Sequence, residues 1–194
     1  MNILIVTAHP SSVGHTHMIA QTYTVAKKSK YNDIKIVDLY AKEYSVDLLT
    51  FENIRTFKPS KIQKKFQEQV AWAHEIVVIH PIWWGLPPAI MKNWADLTFW
   101  MGFAYKFTGP HKVKKLLKGK TAKIFVTNGG ASWFYHFIFM PLLSYWKLCV
   151  FGFTGVEVID VKICGHLDIY QGEKKINHFQ TFLKKIEYSA KKIK

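Results

Sequence analysis

Glu75-Ile76-Val77-Val78-Ile79-His80 runs directly into Pro81-Ile82-Trp83-Trp84-Gly85-Leu86-Pro87-Pro88. The first part is a nearly unbroken apolar run of strand length, the pattern of a strand covered on both faces in a parallel sheet. The second part is a loop stiffened by three prolines. Two adjacent tryptophans leave the strand there, and consecutive side chains point to opposite sides. At least one should therefore face a crevice rather than the core. The helical pattern Pro88–Trp100 follows, opening with a proline suited to a first turn.

Four further runs share the character of this strand: Asn2–Thr7 (NILIVT), Asp33–Leu39 (DIKIVDL), Thr121–Thr127 (TAKIFVT) and Val156–Cys164 (VEVIDVKIC). Between them lie helical patterns. His15–Lys30 carries Ile19, Tyr23 and Ala26 on one side, and Ser60–His74 carries Ile62, Phe66, Val70 and Ala73. The C-terminal pattern, Glu173–Ile193, places Ile176, Phe179, Leu183, Ile186 and Ala190 on one stripe with lysines opposite. Strands alternating with helices predict a doubly wound α/β architecture. No linker, repeat or low-complexity stretch divides the chain, so residues 1–194 are expected to form a single domain.

Composition narrows the function classes. The 194 residues are 49% hydrophobic, which excludes an intrinsically disordered chain. Two cysteines, Cys149 and Cys164, exclude a disulfide scaffold and are expected to be packed, reduced thiols of a cytoplasmic protein. The first residues show no secretory leader pattern. Lysine plus arginine number 27 against 13 acidic residues, a formal charge of +14. Only Arg55 is an arginine, and base readers favour the planar arginine fork, so no nucleic-acid partner is expected. The apolar stretch Trp133–Phe153 contains His136, Pro141, Lys147 and Gly152. It reads as a buried amphipathic helix or a subunit contact rather than a membrane span.

In a doubly wound sheet, ligands bind beyond the carboxyl ends of the strands, where the strand order reverses. Three loops are thereby singled out. The first, Ala8-His9-Pro10-Ser11-Ser12-Val13-Gly14-His15-Thr16, brings hydroxyls and free N–H groups to a helix start, an arrangement suited to an anion. The same residues are also compatible with ordinary helix capping. The second is the Trp83-Trp84 loop, whose path suits a flat ring. The third, Thr127-Asn128-Gly129-Gly130-Ala131-Ser132, offers unhindered backbone donors. A planar aromatic ligand carrying a phosphate would satisfy all three, and flavin mononucleotide (FMN) fits that description. His9, His15 and His17 lack nearby carboxylates or thiolates in sequence, so no metal site is expected.

The motifs His9-Pro10, Asp38-Leu39-Tyr40, Pro81 through Trp94, Gly102-Phe103-Ala104-Tyr105 and Thr127-Asn128-Gly129-Gly130 resemble the flavodoxin-like NAD(P)H:quinone reductases. That family includes DT-diaphorase, the general stress protein 14 type and the ancillary oxidoreductases of potassium-efflux systems. The resemblance covers nearly the whole chain. It implies a five-stranded parallel sheet of order 2-1-3-4-5 with helices on both faces, and a homodimer whose flavin sites the partner subunit completes. It also implies ping-pong hydride transfer from NAD(P)H to a quinone or similar acceptor. His9, Ser11, Gly14, His15 and Thr16 would hold the flavin phosphate. Pro81, Ile82, Trp83, Trp84 and Gly85 would line the ring, and Thr127, Asn128, Gly129 and Gly130 would bind its polar edge. Tyr105 and Phe107 would cover the substrate pocket.

Two departures from the family pattern stand out. Tyr135 matches a relay tyrosine, but Pro141 falls near where the partner histidine belongs, leaving His136 as the nearby candidate. The segment between Asp47 and Phe66 is shorter than in FAD-binding members, which favours FMN over FAD. An alternative is a regulatory flavoprotein bound to a potassium-efflux protein at the inner membrane face, to which a basic surface would be suited. A single-electron flavodoxin-type carrier fits poorly, because such carriers are acidic.

Overall fold

The computed structural model describes residues 1–53, 56–131, 133 and 141–192, apart from the Pro141 side chain. The strands are β1 (Asn2–Thr7), β2 (Asp33–Asp38), β3 (Glu75–Pro81), β4 (Tyr105–Gly109), β5 (Lys112–Lys115), β6 (Thr121–Thr127) and β7 (Glu157–Cys164). The helices are α1 (His15–Lys27), α2 (Lys61–Trp72), α3 (Ala89–Thr98), α4 (141–154) and α5 (Gly172–Lys191). Five parallel strands form one sheet of order β2-β1-β3-β6-β7, which is the expected 2-1-3-4-5 once the β4–β5 hairpin is set aside.

The three central strands are the most continuously apolar in sequence, and they are the most buried. Every residue of β3 is buried, as is all of β1 and β6 except the first residue of each. Alternation then sorts their side chains into two cores. Leu4, Val6, Ile76, Val78, Ile124 and Val126 pack under α2, α3 and α4. Ile3, Ile5, Val77, Ile79 and Phe125 pack under α1 and α5. The edge strands β2 and β7 carry interleaved polar residues and are only partly covered.

Several sequence expectations need correction. The β4–β5 hairpin was not anticipated: Tyr105 pairs with Lys115 and Phe107 with Val113, around a turn in which His111 has φ of 59°. Its lysine-rich strands lack the apolar run that marks the main sheet. Helix α1 stops at Lys27. Pro88 caps α3 from outside, and Ser60 caps α2, its Oγ accepting from the Gln63 N–H. In α5 the buried stripe includes Phe182 in place of Ile176, which is exposed. Both cysteines are free thiols, but Cys149 is exposed while Cys164 is buried. Trp94 belongs to the core, and Trp100 packs against Phe51 and Phe57 of its own chain. Trp133 is exposed. No helix among the described residues is long and apolar enough to cross a membrane.

Burial at the amino ends of the strands is more expensive, because it includes charges. Glu75 accepts from the Tyr23 hydroxyl at 2.5 Å and lies 3.6 Å from Lys27 and 3.3 Å from Lys123. Lys123 also donates to the Ser189 carbonyl. The Ser189 hydroxyl meets Asp160, which in turn accepts from Lys162. A buried charge survives only when paired and hydrogen-bonded in this way. Desolvation, reinforced by Glu75, pushes the Tyr23 phenol far up, so it stays a proton donor.

Helix α4 is wound unusually. An α-turn, Pro141–Ser144, leads into a π-helical stretch, Tyr145–Val150, and a second α-turn, Phe151–Thr154. The wide turn brings the Lys147 carbonyl close over Gly152, where an added Cβ would sit 2.2 Å from that oxygen. Gly152→Ala is therefore expected to lower stability by about 1–3 kcal/mol through overpacking, measured as a lower urea midpoint with an unchanged slope.

Candidate functional site

Because β1, β3 and β6 are adjacent, their three following loops emerge side by side at the carboxyl end of the sheet. The order reverses between β1 and β3. Short bonds tie the loop roots together: Ala8 N–H donates to Ile79 O at 3.1 Å, and Ile82 N–H donates to Thr127 O at 2.8 Å.

In the first loop the Ser11 N–H donates to His9 Nδ1 at 3.0 Å, and the ring folds against Gly14, where a Cβ would lie 3.0 Å from it. Gly14 forms the N-cap of α1 with no side-chain cap and no acid in the first turn. The positive end of the α1 dipole thus has no capping side chain and no acid from its own first turn. Thr16 is fully buried in that first turn. His15 stands edge-on to Phe179, and its pKa is lowered, first by burial and then by the nearby Lys175 and His9, against a weaker opposing pull from Asp168. His17 points elsewhere, its Nε2 meeting Asp38 at 3.1 Å.

The second loop closes a two-residue turn: Trp83 and Leu86 exchange both backbone hydrogen bonds at 3.0 Å. Trp84 and Gly85 supply its centre with φ of 52° and 79°. A bulky side chain at positive φ is strained and needs a reason. Trp84 is 100% exposed and Trp83 43% exposed, while Ile82 is buried. Pro81 is buried at the end of β3.

In the third loop Thr127 and Asn128 are buried, while Gly129 and Gly130 are partly open. Among the described residues, Asn128 Oδ1 and Nδ2, Thr7 Oγ1 and Thr16 Oγ1 are all buried without a hydrogen-bond partner. His17 Nδ1, Gln63, Gln69 Oε1, Thr98 and the Tyr145 hydroxyl share that condition, but these three side chains belong to strand ends and a helix start at one end of the sheet. Buried polar groups are ordinarily satisfied, so this end of the molecule has the donors and acceptors for a polar ligand. The uncapped helix, the exposed tryptophans and Asn128 fit a phosphate, a ring and its polar edge.

A fourth loop, 165–171, was missed at the sequence level. The N–H groups of His166, Leu167 and Asp168 bond to the carbonyls of Gly130, Asn128 and Gly129, zipping the fourth loop to the third. Asp168 lies so close over Gly129 that an added Cβ would come 1.9 Å from its carboxylate oxygen. The Gly165-His166 pair just after a strand was the available signal.

Tyr105 and Phe107 are not gathered with the three loops. Tyr105 lines a cavity of about 380 Å³ with Asp96, Trp100, Tyr145, Cys149 and Phe153, and none of the loop residues contributes to its wall. Phe107 stacks edge-on to Tyr105 and is 58% exposed. Tyr135 and His136 lie outside the described residues. Among the described residues, no group of three or more metal-ligating side chains is assembled.

A family model described as flavodoxin-like fold matches residues 1–187. The chain belongs to the flavodoxin-like fold family. The resemblance drawn from the Pro81–Trp94 motif is borne out by its relatives. An uncharacterized NAD(P)H oxidoreductase of Haemophilus influenzae is 27% identical over 176 residues, 87% of this chain and 86% of that protein. An FMN-dependent NADH:quinone oxidoreductase of Coprothermobacter proteolyticus is 26% identical over 198 residues, 97% and 98% of the two chains. A Streptococcus mutans protein of known crystal structure superposes with a TM-score of 0.84 at 24% identity, covering 100% of both chains, a likeness of fold. None of these names points to a potassium-efflux system, and that regulatory alternative gains no support.

His80, beneath the second loop, is also a residue the sequence analysis left without a role. It is fully buried, and desolvation holds its pKa down to about 4, despite a bond to the Pro81 carbonyl that works the other way. The ring is neutral in the folded protein, whereas an unfolded histidine takes a proton near pH 6.5. Stability should therefore be intact above that value and fall as pH drops from 6.5 towards 4, by about 2 kcal/mol at pH 5 relative to pH 7. Urea titrations at the two pH values check this, and His80→Phe should remove that part of the pH dependence.

Proposed function

We propose that this flavodoxin-like protein is an FMN-dependent NAD(P)H oxidoreductase that reduces quinones or similar acceptors by two electrons. The observation that carries the proposal is the convergence of three chemically distinct loops at the adjacent ends of β1, β3 and β6. The full-length relative named as an FMN-dependent NADH:quinone oxidoreductase supports the same reading.

Bound FMN would supply the chemistry itself, taking a hydride from NAD(P)H and passing it to the acceptor. The chain's own residues bind and orient. The N–H groups at the start of α1, with Thr16 and the loop from His9 through Ser11, Gly14 and His15, would hold the phosphate. An arriving phosphate would also offset the positive charge that Lys175 brings near His15. Pro81, Ile82, Trp83, Trp84 and Gly85 would lie along the ring, with the exposed indoles keeping water from it. Thr127, Asn128, Gly129 and Gly130 would donate to the polar edge, satisfying the buried Asn128 amide.

The separation of Tyr105 and Phe107 from these loops within one chain supports a homodimer. In that assembly the aromatic pair of one protomer would cover the acceptor pocket of the other. The two-electron role separates the protein from single-electron carriers, because such a carrier should not accept hydride directly from a nicotinamide.

The test is a visible spectrum of the purified protein, followed by release and chromatography of the chromophore. Flavin bands and recovered FMN are expected; no bands and no uptake of added FMN would overturn the reading. Trp84→Ala should raise the Kd for FMN about fivefold, the worth of one aromatic contact, measured by quenching of flavin fluorescence.

A further inference from the structure

The peptide unit that joins Pro81 to Ile82 is held from both sides. Its N–H, on Ile82, donates to the Thr127 carbonyl at 2.8 Å. Its carbonyl, on Pro81, accepts from the His80 ring at Nδ1, also at 2.8 Å. Pro81 has no N–H of its own, so these two bonds fix the plane from which the Trp83-Trp84 turn departs.

The His80 ring is itself held. Trp146 Nε1–H donates to His80 Nε2 at 3.0 Å. An indole N–H can only donate and a carbonyl can only accept. The two partners therefore dictate the tautomer: the proton is on Nδ1, and Nε2 is the acceptor. No hydrogen-bonding capacity is left over, and both side chains are fully buried. Trp146 belongs to the π-helical part of α4 and stacks on Phe151 at 5.2 Å. Its neighbours Tyr145 and Cys149 line the cavity that holds Tyr105. Single π-helical turns recur at functional sites in helices, and here one delivers an indole N–H to a histidine beneath the ring loop.

We infer that His80 and Trp146 are positioning residues, which lock the Pro81–Ile82 peptide plane, aim the Trp83-Trp84 turn, and tie it to the wall of the Tyr105 cavity. The inference rests on Pro81–Gly85 being the ring-binding loop, as proposed above. Neither side chain needs to touch the cofactor. The role follows from the bond that His80 makes to the loop and the bond that Trp146 makes to His80.

A role confined to core stability would give a different pattern, and two variants separate the cases. Trp146→Phe keeps an aromatic ring on Phe151 but removes the donor, leaving Nε2 buried and unpaired. His80→Phe combined with Trp146→Phe replaces both partners by apolar rings, which should recover much of the stability lost in the single variant. It does not restore the bond to the Pro81 carbonyl.

The first measurement is amide hydrogen exchange on the flavin-free protein. Peptides covering residues 81–88 should exchange about fivefold faster in the double variant, the worth of one hydrogen bond, while those covering residues 121–127 stay unchanged. The second is the Kd for FMN, expected to rise by a similar factor. The third is the KM for a quinone, expected to rise more than kcat falls. A double variant with recovered stability, wild-type exchange over residues 81–88 and wild-type FMN affinity would overturn the inference. If that variant does not fold, Trp146→Phe decides: faster exchange confined to residues 81–88 supports it, and uniform acceleration through β3 and β6 overturns it. Should the wild-type protein bind no FMN, the proposed function fails, and the exchange data on the flavin-free protein still decide the positioning role.

Discussion

The side chains of β1, β3 and β6 are apolar on both faces, and both faces must be kept from water. A sheet of that kind cannot be finished by a single layer of helices. The chain meets the requirement by placing α1 and α5 on one side and α2, α3 and α4 on the other. Parallel strands force each connection to cross a face and return, so every loop that follows a strand opens at the same end. The geometry of the candidate site is thus a by-product of covering three strands.

The two ends of the sheet are treated differently. At the amino ends, Glu75 is surrounded by Tyr23, Lys27 and Lys123, and Asp160 by Lys162 and Ser189. Every one of these charges has an opposite partner or a hydrogen bond. At the carboxyl ends, Thr7, Thr16 and Asn128 are buried without one, α1 begins with no cap, and Trp84 stands in water at a strained φ. The carboxyl ends thus combine unpaired buried polar side chains with exposed aromatic surface, although Gln63, Gln69, Thr98 and Tyr145 also carry buried atoms without a partner. That combination is what marks this edge as the candidate site. It also gives the surplus of lysines a local meaning at Lys175, whose charge acts on His15 beside the uncapped helix.

The His80–Trp146 bond links this edge to a more distant part of the chain. It joins the end of β3 to a helix 66 residues further on, and that helix also forms a wall of the Tyr105 cavity. No residue of the three loops lines that cavity. The wide turn of α4, for which Gly152 leaves room, carries the Trp146 indole that reaches His80.

Much of this was legible in the residues alone. Continuous apolar composition marks NILIVT, EIVVIH and TAKIFVT as strands without help from their neighbours. It marks DIKIVDL and VEVIDVKIC in the same way, and only the sheet shows these two to be partly covered edges. The loops that follow them were identified for the same reason, and the Pro81–Trp94 motif tied them to the flavodoxin-like family. The β4–β5 hairpin stayed hidden because its strands are short, exposed and rich in lysine, with no apolar run to mark them. Only the tertiary structure could pair His80 with Trp146, lay Asp168 over Gly129, turn Trp84 to positive φ and set Tyr105 apart from the loops. Each of these depends on contacts between segments distant in sequence or on a backbone angle imposed by the surrounding fold. Local composition determines which residues must be buried; the packed sheet decides which of them meet.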